Sequence, residues 1–162
     1  MSDTRIRKYR DDDREQVIEL VRELQIAEGR IYDRMKPPEA MGDWYLDGLL
    51  EACDKQKGQI FVADKAGAVV GYAVVLAEVP SEEVSPDEVS YLYAFITDVS
   101  VTQELRGQGI GKALLQKCEA YARSHNAKWL RIGVLVNNGT AVRAYEKAGF
   151  APLTMEMEKI LT

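Results

Sequence analysis

Three alternate glycines behind an arginine, Arg106-Gly107-Gln108-Gly109-Ile110-Gly111, are the residues of this sequence best suited to holding an anion. Gly107, Gly109 and Gly111 have no Cβ and tolerate positive φ, so successive backbone N–H groups can turn toward one phosphate. An amphipathic run opens directly after them, with Ile110, Leu114, Cys118 and Tyr121 along one face. A helix beginning near Gly109 adds its unpaired N-terminal donors and the positive end of its dipole. Arg106 adds a full charge and a fork of donors. Single residues exclude two better-known glycine patterns. A dinucleotide fingerprint needs glycine at position 112, which is Lys112; a P-loop needs glycine at 106 and a hydroxyl residue after the lysine, and these are Arg106 and Ala113. What remains is a phosphate cradle, or a glycine-rich turn that only starts a helix.

The elements that would present this loop can be traced by periodicity. Thr4 to Tyr9 reads as a short strand with Ile6 inward. Asp12 followed by Glu15 has capping-box spacing, and Val17, Leu20, Val21 and Leu24 recur at helical period. From Gln25 to Pro38 the period loosens, with Gly29, Pro37 and Pro38 as punctuation, before Glu39 to Cys53 resumes it; the loose segment is placed to move over a binding site. Gln59 to Asp64 and Val69 to Val79 form an antiparallel hairpin. Pro80 to Glu88 is an acidic loop with Glu82, Glu83, Asp87 and Glu88, read as a solvated one. Val89 to Val101 is the fourth strand, long enough to hold a bulge. Lys128 to Val136 is the fifth, reached through a crossover helix and therefore parallel to the fourth. Asn138 is placed to cap a helix from Gly139 to Ala148, Gly149 to end it, and Leu153, Met155 and Met157 alternate as a final strand. The pattern predicts one α/β domain of the α+β type, with a central mixed, mostly antiparallel, twisted sheet flanked by helices.

Composition agrees with a single domain. The 162 residues are 46% hydrophobic and 29% charged, enough for one sizeable core. A net charge of −5, from 21 basic and 26 acidic residues, argues against a nucleic-acid surface and suits a cationic ligand. Cys53 and Cys118 have no companion pair at metal spacing and His125 is the one histidine, so no metal is expected and a reducing, cytoplasmic setting is the simplest. The longest apolar run, Val69 to Ala77, is too short to cross a bilayer, so no membrane partner is expected.

Two blocks carry a resemblance to a known family. Arg106 to Gly111 fits the pattern of Gln or Arg, two residues, Gly, one residue, then Gly or Ala, and NNGTAVRAYEKAGF at 137 to 150 fits a second block; the hairpin VVGYAVV and the order of elements agree. The sequence thus resembles the GNAT superfamily of acyl-CoA-dependent N-acetyltransferases. The likeness is strong from residue 59 onward and weak before it, dividing one domain (1–162) into a variable acceptor-side region (1–58) and an acyl-CoA-binding core (59–162). The resemblance implies that strands four and five are parallel and splay apart at the cofactor site. It implies acetyl-CoA as cosubstrate, with its pyrophosphate on Arg106, Gly107, Gln108, Gly109, Ile110, Gly111 and Lys112, its pantetheine arm along Val99 and Val101, and Asn138 in contact with it. Tyr145 would lie near the sulfur as proton donor. The implied partner is a primary amine of a small or amino-acid-like molecule that attacks directly in a ternary complex; the alternatives are a protein or peptide acceptor, or a non-catalytic acyl-CoA-binding regulatory module. Family habit also suggests a homodimer.

The bland readings stand beside these. From spacing alone Tyr145, on the face of Ala141 and Ala148, is a core tyrosine, and Asn138 is a helix cap. Strand alternation puts Tyr91, Tyr93, Phe95 and Thr97 on one face with Val99, and Asp98 on the other unless a bulge intervenes, which favours a structural, hydrogen-bonded Asp98. Tyr91, Tyr93 and Thr97 are the acceptor-groove candidates. Many relatives carry a glutamate where this chain has Phe95 or Thr97, so the general base stays open among water held by Tyr93 or Thr97, Glu28 and Asp33. Trp44 and Trp129 read as packing residues, Cys118 as buried and inert, and His125 as a partner of helix carbonyls or solvent.

Overall fold

The computed structural model describes residues 3–81 and 87–162. Strands β1 (Thr4–Lys8), β2 (Gln59–Lys65), β3 (Ala68–Pro80), β4 (Leu92–Val101) and β5 (Leu130–Ile132) lie side by side in chain order in one sheet. Each neighbouring pair from β1 to β4 is antiparallel, and β5 runs parallel to β4 with Ala94 opposite Leu130 and Ile96 opposite Ile132. Helices α1 (Arg14–Gly29) and α2 (Asp43–Lys55) cover one face; α3 (Ile110–Ser124) and the edge of α4 (Gly139–Lys147) lie against the other. The domain is therefore the mixed, mostly antiparallel sheet between helices that the periodicity predicts.

β3 is central and apolar on both sides. Tyr72, Val74 and Leu76 point toward α1 and α2, while Ala73 and Val75 point toward α3. Each valine or leucine buried in this way contributes roughly 1.5–3 kcal/mol relative to exposure. The buried stripes Val17, Leu20, Val21 on α1 and Ile110, Leu114, Cys118 on α3 supply the opposing surfaces at helical spacing. Among the described residues no helix is long and apolar enough to cross a membrane.

Four local expectations are corrected. The capping box at Asp12 and Glu15 does not form; a tight turn over Asp11–Asp13 precedes α1, and the carboxylate of Asp13 accepts the Arg10 N–H at 2.8 Å. Asp13 is chosen because it also receives both ends of the Arg7 fork, at 2.7 and 2.8 Å, while Arg7 Nε donates to Asp64 at 2.8 Å. Those charge-assisted bonds join β1, β2 and the start of α1, and they hold the Asp13 and Asp64 carboxyls below their ordinary range. β4 starts at Leu92 rather than Val89, and β5 is confined to Leu130–Ile132 because the chain leaves β4 immediately afterwards. No final strand forms: residues 151–162 carry none, and Leu153, Met155 and Met157 are mostly exposed. Alternation supplied a face there, but no neighbouring ladder is offered to it. Of the acidic loop, residues 82–86, with Glu82 and Glu83, lie outside the described residues.

Candidate active site

β4 leads through a tight turn, Gln103–Leu105, into the glycine loop and α3. Gly107 and Gly109 have φ of +75° and +87°, a region that penalises any side chain, and a Cβ at either would meet no atom within 4 Å. The loop surface is thus bare and open. The first bond entering α3 runs from Ala113 N–H to Gly109 O, so the N–H groups of Ile110, Gly111 and Lys112 precede it and have no acceptor in the helix. Buried Ile110 anchors this end. The Arg106 guanidinium is turned back: Nε donates to Val101 O at 2.9 Å, and Nη2 lies 3.9 Å from Glu23. Glu23 also accepts the Gln103 N–H at 3.1 Å and the Thr102 hydroxyl at 3.1 Å, so α1 steadies the connector. Gln108 is tied weakly to Glu104 O at 3.4 Å. Lys112 is exposed on the first turn.

Beside the loop the sheet opens. Pairing of β4 with β5 ends at Ile96 and Ile132, whereas β4 continues to Val101 with β3 alone. Beyond Ile96 one edge of β4 is therefore unpaired by strand, leaving main-chain groups that an extended ligand can meet. A bulge lies at the same place. Asp98 pairs with Val74 and Ile96 with Val75, which leaves Thr97 as an extra residue. Its Oγ1 is buried without a hydrogen-bond partner among the described residues.

The bulge overturns the simple alternation. Ile96 and, after the extra residue, Val99 and Val101 all face α3. Asp98 instead faces α1 and α2, on the side opposite to Val99. There Oδ2 of Asp98, a residue only 4% exposed, accepts from Tyr72 at 2.7 Å and from Tyr45 at 3.0 Å. Burial pushes the Asp98 carboxyl above its ordinary value, with the two phenols working against that shift. Burial, then the charge of Asp98, pushes both phenols up, so they remain donors. The structural, hydrogen-bonded role expected of Asp98 is what the geometry contains.

Glu28 stands at the last turn of α1, half-buried, and its carboxylate has no hydrogen bond or ion pair among the described residues. Burial and then the charge of Asp98 raise its pKa. It borders an open cavity of about 280 Å³, lined also by Leu24, Arg34, Met35, Lys36, Trp44 and Tyr45.

Tyr145 approaches from α4. The Asn138 side chain caps that helix by accepting the Ala141 N–H at 3.2 Å, and Gly149, at φ +95°, ends it as expected. The Tyr145 ring packs into the cluster that contains Val99, Val101, Ile110 and Ile132. Its hydroxyl makes no hydrogen bond among the described residues. Burial pushes the phenol to about 12, with Glu28 and then Asp98 adding to the shift.

The start of the helix after the loop, the β4 edge at Val99 and Val101, and Tyr145 are thus brought together on the α3 side of the sheet. Tyr91 and Tyr93 are not. They lie where β4 begins, with Trp129 5.0 Å from the Tyr91 ring and the Arg131 guanidinium 4.2 Å above Tyr93. Trp44 and Trp129 are half-exposed rather than core residues. Cys118 is fully buried, its thiol pushed up to about 12 by burial, and His125 Nδ1 lies 3.0 Å from Tyr121 O. Sequence reasoning missed the pairing of Tyr45 and Tyr72 on Asp98; polar residues recurring within apolar stripes were the only local sign of it.

Comparison with known proteins agrees with this fold. The model of the Acetyltransferase (GNAT) family matches residues 18–150. An N-alpha-acetyltransferase from Sulfurisphaera tokodaii is 29% identical over 103 residues, covering 63% of this chain and 62% of that protein. The chain spans between 44% and 62% of the length of the first three curated relatives it matches. A mutant protein from Bacillus halodurans, solved by crystallography, has the same fold at a TM-score of 0.85 and 22% identity, covering 98% of this chain and 99% of that one. A GNAT-family acetyltransferase from Staphylococcus aureus does so at 0.71 and 18% identity, covering 93% and 86%.

Proposed function

The chain belongs to the GNAT acetyltransferase family, and we propose that it transfers the acetyl group of acetyl-CoA to a primary amine of a small or amino-acid-like acceptor, by direct attack in a ternary complex. One observation carries this reading: the bare glycine loop, the β4 edge left unpaired beyond Ile96 and the Tyr145 side chain lie together on the α3 side of the sheet. Residues 59–162 serve as the acyl-CoA-binding core and residues 1–58 shape the acceptor side. The N–H groups from Gly107 to Lys112 suit a pyrophosphate, and the main chain around Val99 and Val101 suits the amides of a pantetheine arm. Asn138 borders the same ligand while it caps α4. When bound, acetyl-CoA supplies the activated acyl group. The protein holds it, excludes water and offers the Tyr145 proton to the departing sulfur.

Acetyl-CoA-dependent thiol release with a panel of amines tests this. Release well above background with at least one amine is expected. Cofactor binding without release would make the chain an acyl-CoA-binding module instead. The relative named N-alpha-acetyltransferase is the reason to include a short peptide with a free N-terminus in the panel.

The loop makes a separate prediction. Gly109→Ala forces a side chain into a left-handed backbone at a cost of about 1–2 kcal/mol and disturbs the donors that precede Ala113. Calorimetry is expected to find CoA binding at least about tenfold weaker, equivalent to about 1.4 kcal/mol. Unaltered affinity in the folded variant would show that the phosphates lie elsewhere.

A further inference from the structure

We infer that Glu28 is the base that receives the acceptor amine, at the inner wall of the cavity between α1 and α2, and that this cavity selects an amine bearing an apolar group; the inference rests on the transferase reading above. An alkylamine with a pKa near that of lysine, about 10, arrives protonated at neutral pH and must lose a proton before it can attack. The strand positions Phe95 and Thr97 offer no carboxylate. Asp98 is nearly inaccessible and already holds two phenols on Oδ2. The Asp33 side chain is 93% exposed, with its carboxylate 3.8 Å from Arg34. Among the described residues Glu28 alone combines a half-buried, unpartnered carboxylate with a place on the cavity wall and electrostatic reach to Tyr145.

The groups facing Glu28 support a base. Asp98 from β4 is the nearby like charge, which makes Glu28 hold a proton more tightly. Tyr72 from β3, Tyr45 from α2 and Tyr145 from α4 are all kept neutral by burial. Of the three cations on the segment after α1, Arg34 and Lys36 line the cavity, and both are engaged elsewhere: Arg34 binds Glu158 at 2.6 Å, and Lys36 Nζ sits 4.9 Å from the centre of the Trp44 ring. Neither neutralises Glu28, and the Lys36 ammonium, which has no carboxylate partner among the described residues, repels a second ammonium on the acceptor. The walls of Val21, Leu24, Met35 and Met41 offer apolar contact to whatever the amine carries, in a volume suited to one bulky group.

The protons and bonds balance. Glu28 takes one proton from the ammonium and returns it to solvent. The neutral nitrogen forms a C–N bond with the thioester carbonyl carbon, the C–S bond breaks, and the sulfur takes the Tyr145 hydroxyl proton. The second proton leaving nitrogen restores the phenol, through solvent, and the products are an acetamide and a free thiol.

The experiment compares the full chain with Glu28→Gln and Glu28→Asp, using acetyl-CoA with phenethylamine as an apolar probe and putrescine as a dicationic one. The wild type is expected to prefer phenethylamine by about tenfold or more in kcat/KM, and Glu28→Gln to lose about 100-fold of that rate with CoA affinity retained. The pH profile separates a base from a structural residue. The wild-type kcat/KM should level off above the Glu28 pKa, whereas Glu28→Gln, which must wait for free amine, should climb about tenfold per pH unit toward the amine pKa near 10. Glu28→Asp should keep the plateau at a lower rate. Identical profiles for wild type and Glu28→Gln, loss of CoA binding with activity, or preference for putrescine each overturn the inference alone. Absence of thiol release by the wild type with every amine overturns the transferase reading and this inference together.

Discussion

Tyr145→Phe is expected to lower kcat about 100-fold, roughly 2.7 kcal/mol of transition-state stabilisation, while CoA affinity and thermal stability stay the same. The ring would remain among Val99, Val101 and Ile132 and against Phe150, 6.1 Å away between centroids. Only the hydroxyl is lost, and because it makes no hydrogen bond within the described residues, its removal strands no partner. The phenol, pushed by burial to about 12, keeps its proton far above neutral pH and serves as a donor, never as a base there. Burial also makes it a weak acid, and the charges of Glu28 and Asp98 weaken it further. Uptake of the amine's proton by Glu28 removes one of those charges, so the first proton transfer strengthens the donor needed for the second. Pre-steady-state thiol release, with chemistry shown to limit the rate, is the measurement. Unchanged turnover under that condition would remove Tyr145 from the reaction.

What the chain reveals locally and what it conceals differ by range. The glycine loop, the amphipathic stripe of α3, the Asn138 cap and the αL glycine at 149 are short-range patterns, and each is found where its spacing puts it. The bulge at Thr97 is a register slip against β3 and exists only in the pairing of two strands. Without it, Ile96 is counted on the face of Asp98, whereas Ile96 and Val99 share the α3 face. Asp98 finds Tyr72 across the sheet and Tyr45 on a helix formed much earlier in the chain. Glu28 can be picked out as an acid on the early segment, but its cavity is completed by Trp44 and Tyr45 of α2. The alternation of Leu153, Met155 and Met157 describes a strand face and says nothing of a neighbour to bond it. Asp12 and Asp13 are equivalent as caps until the Arg7 fork, from another element, selects one.

Asp98→Ala should produce the largest loss of stability among changes at the site, about 2–5 kcal/mol, or roughly 10 °C in Tm. Two phenols lose their acceptor at once, and Tyr72 is fully buried, so water cannot replace it there. Asp98→Asn keeps an acceptor oxygen for Tyr45 and Tyr72 and discards the desolvated charge. The two variants therefore divide the role of Asp98 into a hydrogen-bond contribution and a charge contribution, and pH divides them again. Burial raises the folded pKa of Asp98 above its ordinary 3.8, so its contribution is fully present below that value and is lost as pH rises through the folded pKa. Glu28 acts in the same direction. Asp13 and Asp64, lowered by Arg7, act oppositely: they stabilise above the ordinary carboxylate range and lose that effect as pH falls through their folded values. These last contributions are common to wild type and Asp98→Asn and cancel in the difference. Urea denaturation from about pH 3 to 8 should therefore show Asp98→Asn gaining on the wild type as pH rises. A deficit that widens with pH would mean that the two phenols outweigh desolvation and hold Asp98 charged. In that case the negative charge beside Glu28 is permanent across the working range. If the gain is seen instead, the same substitution should move the Glu28 plateau in the pH–rate profile only where Asp98 is ionised, tying the strand bulge to the proton affinity of the acceptor base.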